Sequence, residues 1–273
     1  MKKIILPLAI ALLPAVMTAG SRTETFSGSL NAITASCGLD VTYNPGHNST
    51  SVTVSGPDKV ISYVEVKKNG STLNIRLKDN RPKRLDLKGV IVTVNAPAVS
   101  SISASSAADI DVIGSYSVKG PMNVKASSSG DVNFTTLSAS ALDIDVSSSG
   151  DVEIVTANTT IANLSASSSG DIDIKVMTCP ELNTVASSSG DIEIESLSGK
   201  KINANASSAG GIEIKHLSGE SLEAGASSGA SIKLTGKVVR GQFSASSGAT
   251  INKTGLQVND NSVSTSSGGT VKQ

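Results

Sequence analysis

The chain has no tryptophan, and its 273 residues include only three tyrosines and three phenylalanines. That scarcity excludes an ordinary globular core of this size, which normally draws on larger side chains. It also argues against a polysaccharide lyase or hydrolase. Such sites use sugar-stacking aromatics, whereas Phe26, Tyr43, Tyr63, Tyr116, Phe134 and Phe243 are not expected to cluster. Histidine is equally sparse. His47 and His216 do not recur with the serines, so no serine nucleophile with a nearby base is expected. The formal net charge is zero, which gives no pull toward nucleic acid. Zinc-ligand spacing, a phosphate loop and a dinucleotide fingerprint are all missing. The two cysteines, Cys37 and Cys179, lie in the opening strand and deep in the chain, and are expected to be buried, unpaired thiols.

Long apolar runs are confined to the start. Lys2 and Lys3 precede an apolar run from Ile4 to Val16, followed by small residues at Thr18, Ala19 and Gly20. This is the order of a secretory signal peptide, assigned to residues 1–20. The run is too short for a bilayer span and is interrupted by Pro7 and Pro14. With no cysteine at the cleavage site, the mature chain is expected to be exported and free of a lipid anchor, in the periplasm, at the outer surface or secreted.

What the chain has in abundance is repetition. Gly130-Asp131, Gly150-Asp151, Gly170-Asp171 and Gly190-Asp191 follow one another at intervals of 20 residues. The series continues as Gly210-Gly211, Ala230-Ser231, Ala249-Thr250 and Gly269-Thr270, with one step of 19, and Ala108-Asp109 is an earlier copy displaced by two. A fixed period of this kind marks a repeat architecture. Within it, residues alternate as in a half-buried strand. Val132, Val152, Ile172, Ile192, Ile212 and Ile232 form one inward column, and Phe134, Ile154, Ile174, Ile194, Ile214 and Leu234 another. Leu137, Ala157, Met177, Leu197 and Leu217, then Leu142, Ala162, Leu182, Ile202 and Leu222, make two more. Each unit therefore reads as one coil of a parallel β-solenoid, and about eight coils at ~4.8 Å give a rod of about 40 Å. Ser128, Ser148, Ser168, Ser188, Ser208 and Ser228 alternate in phase with the inward alanines and are expected to form a hydroxyl ladder inside a tight corner.

Residues 21–97 lack the repeat and read as a strand and hairpin cap on the first coil, continuous with a solenoid over 98–273 as one elongated domain. One hairpin is expected to turn at Asn44-Pro45-Gly46 and return through Val52 and Val54, and a second to turn at Asn69-Gly70. No helix is expected, since no 3.6-residue apolar period is present.

The order LNAITASCGLDVTYNPG, then VTVSGPDKVISYVEVKKNGSTLNIRLKD, then VIVTVNAPAVSSISASSAADIDV, then the SSSGD coils, resembles the head GIN domain family of auto-transporter adhesins, strongly over residues 24–235. The resemblance implies a right-handed parallel β-helix in a secreted protein of a Gram-negative bacterium. It carries over no catalytic residue and no ligand. Nothing beyond residue 235 alternates over the lengths a transmembrane barrel needs, so the chain is not expected to secrete a passenger of its own.

Stacking of coils aligns Asp131, Asp151, Asp171 and Asp191 on the surface, with Asn133, Glu153, Asp173, Glu193 and Glu213 two residues further along. Like charges at such spacing repel by about 1 kcal/mol per pair in water. Calcium would relieve this, making Asp131, Asp151, Glu153, Asp171, Asp173, Asp191 and Glu193 the candidate ligands. The Gly-Gly-x-Gly-x-Asp nonapeptide of calcium-binding rolls is missing, however, and aspartates held by their own Ser-Gly corners and facing solvent are the preferred reading, with no cofactor. Asn163, Asn183 and Asn203 form an outward amide column that should stabilise the stack. The basic run 75–88 reads as a solvated loop and strand edge. The sequence therefore points to a non-enzymatic cell-envelope protein that binds an unknown glycan or protein, with Asp151, Asp171 and Asp191 as the partner face. A structural module that self-associates through its coil ends is the alternative.

Overall fold

The computed structural model describes residues 19–273. The expected signal peptide falls outside these residues except for Ala19 and Gly20, which open β1 (Ala19–Phe26). Then follow β2 (Ala32–Ser36), β3 (Asp40–Asn44), β4 (Thr50–Pro57), the single turn α1 (Asp58–Ile61), β5 (Val64–Asn69), β6 (Thr72–Leu77) and β7 (Ile91–Asn95). The repeats comprise β8 (Ser101–Ser105), β9 (Asp109–Ser117), β10 (Pro121–Ser127), β11 (Asp131–Ser147), β12 (Asp151–Ser167), β13 (Asp171–Thr178), β14 (Glu181–Ser187), β15 (Asp191–Ser198), β16 (Lys201–Ala206), β17 (Gly211–Ala226), β18 (Ser231–Ala245), β19 (Thr250–Thr265) and β20 (Thr270–Lys272).

The coils stack as a parallel β-solenoid of about nine turns. Each coil contributes to two sheets. The first face runs β3, β9, β11, β12, β13, β15, β17, β18, β19 and β20. The second runs β6, β2, β8, β10, β11, β12, β14, β16, β17, β18 and β19. The four inward columns read from the sequence are all buried, since alternating β-branched and leucine side chains reach the core only from one side of the pleat.

At the N-terminal end the parallel order changes. On the first face β7 lies parallel to β3, and β4 and β1 then add antiparallel strands. On the second face β5 returns antiparallel to β6 through Gly70, as the Asn-Gly turn predicted. The other expected hairpin does not form. β3 and β4 are separated by β7, which pairs with both, so the chain after Asn44 crosses to a non-neighbouring position. The segment before β5 also forms the short α1, where extended structure was expected.

Three of the six aromatics do cluster, and inside. Tyr116 packs edge-on against Tyr43 at 5.9 Å and against Phe134 at 5.6 Å between ring centroids. The two tyrosine hydroxyls are satisfied: Tyr43 Oη donates to the Pro97 carbonyl at 2.5 Å, and Tyr116 Oη accepts from the Val99 N–H at 2.8 Å. Burial raises both phenol pKa values, that of Tyr116 to about 12.

The corners also differ from expectation. Ser128 and Ser129 both have positive φ, as do Ser148-Ser149, Ser168-Ser169 and Ser188-Ser189. The Gly130 N–H donates to the Ser127 carbonyl at 3.1 Å, closing a turn whose two central residues have the φ signs of type I′. Two positive-φ residues interrupt strand alternation, so Ser128 and Ser129 point to solvent and no inner hydroxyl ladder forms. Gly130, Gly150 and Gly190 serve a different purpose. A Cβ at Gly190 would lie 2.5 Å from the Ser167 backbone nitrogen, so this position must be bare for one coil to sit on the next. Cys37 occupies the equivalent corner position in the first coil with φ 71 and is only half-buried, whereas Cys179 is buried; both are free.

Candidate functional site

The strand register sets the surface chemistry. On the first face Asp131 pairs with Asp151, Asp151 with Asp171, and Asp171 with Asp191. The column is longer than the Gly-Asp repeat reveals, because Asp40 pairs with Asp109 and Asp109 with Asp131. Six aspartates thus stand in line before Gly211, over which the Asp191 carboxylate lies. The sequence signal for Asp40 was the Gly-Leu-Asp that follows Cys37, which lacks the serine corner.

These carboxylates are crowded. Partial burial, then the charge of Asp131, raises the pKa of Asp151. Partial burial, then Asp151 and Asp191, does the same for Asp171. Asp109 is raised by burial and by Asp131, Asp40 and Asp111. The backbone N–H of Asp171 pulls Asp151 the other way, so the compensating donor comes from the next coil, not from the aspartate's own Ser-Gly corner.

The adjoining column behaves differently. Glu153 meets Lys175 at 3.8 Å, Glu193 is bonded to Lys215, and Glu213 meets Lys233 at 2.8 Å. Asp173 lies between Glu153 and Glu193, and its pKa is raised by burial and by both of them. Two of the seven calcium candidates, Glu153 and Glu193, are therefore held by lysines. Among the described residues no group of three or more histidine, cysteine or acidic side chains is placed to hold a metal ion. Straight, stacked strands set carboxylates in a line, and a calcium shell of six to eight oxygens needs them converging.

On the second face Asn163 Nδ2 donates to Asp143 Oδ1 at 2.7 Å, Asn183 Nδ2 to Asn163 Oδ1 at 3.1 Å, and Asn203 Nδ2 to Asn183 Oδ1 at 2.7 Å. The expected amide column is thus a continuous hydrogen-bonded ladder, with Asp143 as a fourth member the sequence reading missed.

No helix among the described residues is long and apolar enough to cross a membrane. Of the two histidines, His216 is exposed at the end of a first-face strand segment, and His47 lies in the exposed loop after β3.

Comparisons with known proteins agree with this architecture. A solved structure of a "putative adhesin" from Parabacteroides distasonis superposes with a TM-score of 0.68 at 18% identity, covering 91% of this chain and 97% of that one. A "putative adhesin" from Parabacteroides merdae gives 0.65 at 17% identity over 91% and 96%. A "Putative lipid binding protein" from Parabacteroides distasonis gives 0.56 at 14% identity over 93% and 96%. At these identities the likeness shows a shared fold. No curated protein matches the chain. The family described as "Putative auto-transporter adhesin, head GIN domain" matches residues 29–215 and 176–272, so the two matches together span nearly all of the described chain, and the protein belongs to that family.

Proposed function

We propose that this is a non-enzymatic, exported cell-envelope protein that binds a glycan or protein through the first face of its solenoid, with Asp151, Asp171 and Asp191 at the centre of the contact. One observation carries the reading: the aspartate column is kept in register through successive coils without a basic partner, while the glutamate column beside it is paired with lysines. Repelling charges left unpaired weaken the fold, and a row of acceptors at strand spacing is complementary to hydroxyl, amide or basic groups on a partner. Membership of a family described by adhesion supports the same role.

The test is the triple variant Asp151→Asn, Asp171→Asn, Asp191→Asn, compared with the parent for attachment to a glycan array and to immobilised envelope and host surface proteins. Loss of attachment with retained fold is the expected result. Unchanged attachment overturns the assignment of this face. Mass measurement of the protein from its native envelope tests export, with loss of about 20 residues expected.

A further inference from the structure

The amide ladder on the second face has a fixed direction. Asp143, as a carboxylate, only accepts, so Asn163 must turn its Nδ2 toward it, and Asn183 and Asn203 must follow suit. Asn203 Oδ1 is thereby aimed at the next coil, where the register places Glu223, a second acceptor. The mismatch is visible: Asn203 Oδ1 is buried and has no hydrogen-bond partner. Buried acceptors left in this state are rare in native structures.

The neighbouring column opens space at the same place. Lys125, Asp145, Ser165, Val185 and Asn205 project from successive coils, and then Gly225 and Ser244 leave the surface low. The result is a groove of about 310 Å³, at the small end of ligand sites, lined by both columns and by Gln242.

We propose that this groove is a subsite for one neutral sugar residue, two of whose adjacent hydroxyls donate, one to Asn203 Oδ1 and the other to Glu223. The two hydroxyls supply the donors the two acceptors lack, and their own oxygens accept from the amides of Asn205 and Gln242 or the Ser244 hydroxyl. A cation would answer the acceptors but leave those donors unused. The subsite lies on the other face from the aspartate column and does not depend on it.

Glu223→Gln makes the decisive variant, because it offers Asn203 Oδ1 an amide donor within the protein and completes the ladder. Side-chain amide resonances of Asn203, Asn205 and Gln242 are followed while methyl glycosides of glucose, galactose, mannose and N-acetylglucosamine are titrated into the parent. A saturable shift of these three resonances with at least one glycoside is expected, weakened about tenfold or more in Glu223→Gln and in the groove-filling Ser244→Leu. The triple aspartate variant should bind the glycoside as the parent does, which separates this site from the first face. The proposal is overturned if no glycoside moves these resonances, if Glu223→Gln binds undiminished, or if arginine amide shifts them and the glycosides do not.

Discussion

Asn203 Nδ2 donates to Asn183 Oδ1 across 2.7 Å, one coil to the next, and Asn183 in turn reaches Asn163 at 3.1 Å. Asn183 is therefore the middle of the ladder, acting as donor and acceptor at once. Asn183→Ala should remove two hydrogen bonds and lower stability by about 1–3 kcal/mol at roughly 0.5–1.5 each. Asn183→Asp keeps the shape but cannot donate to Asn163, so it should also destabilise. Urea unfolding of both variants against the parent checks this, and equal stability of Asn183→Asp and the parent would refute the donor role of Asn183 in the ladder.

The corner glycines and corner serines invite opposite substitutions. Gly190→Ala puts a methyl group 2.5 Å from the Ser167 nitrogen, in a place where only backbone could yield, and should cost about 1–3 kcal/mol or more. Ser189, with φ 61, sits in the left-handed region that glycine adopts freely. Ser189→Gly should therefore be close to neutral, as relief of backbone strain offsets added freedom in the unfolded chain. Thermal melting of the two single variants distinguishes a spacing requirement from a turn requirement.

The aspartate column makes stability depend on pH with a sign opposite to that of an ion-paired carboxylate. Asp109, Asp151 and Asp171 in that column, and Asp173 in the column beside it, all have raised pKa values in the folded protein. The folded state thus holds their protons more tightly than the unfolded one. Their contribution is fully present below the unfolded value of about 3.9 and is lost as pH rises through the higher folded values. Glu65, lowered by Lys67 and Arg76, works in the reverse direction, so the informative quantity is a difference. The melting temperature of Asp151→Asn, Asp171→Asn relative to the parent should be higher at pH 7 and the gap should close on acidification through that window. A gap independent of pH would remove the electrostatic explanation.

Period and alternation made the repeats and the four inward columns legible, because each coil meets only its neighbours and reproduces the same contacts. Long-range pairing was not legible in the same way. Nothing local in residues 40–57 announces that β7, some forty residues on, inserts between β3 and β4. Tyr116 reaches Tyr43 and Phe134 only because its coil carries extra residues, with a bulge near Gly114 that moves the pairing register. The serine corners misled for a conformational reason, since alternation stops where two successive residues take positive φ. Of the candidate site, the aspartates and asparagines were visible as columns. Their separate fates, one unpaired and one bonded, depended on which neighbours carried lysine or an amide.

One more consequence lies in a column that looked apolar throughout. After Leu234 the inward position passes to Lys253, which is only 6% exposed and sits 5.3 Å above the Phe243 ring. Uniform apolar columns are templates: any strand of similar pattern adds to them, and growth has no natural limit. A cation turned into the column denies the next layer its dry contact. Covering that cation with a further apolar layer would carry a desolvation cost that the regular coils do not, so the column is least hospitable to an added strand at this end.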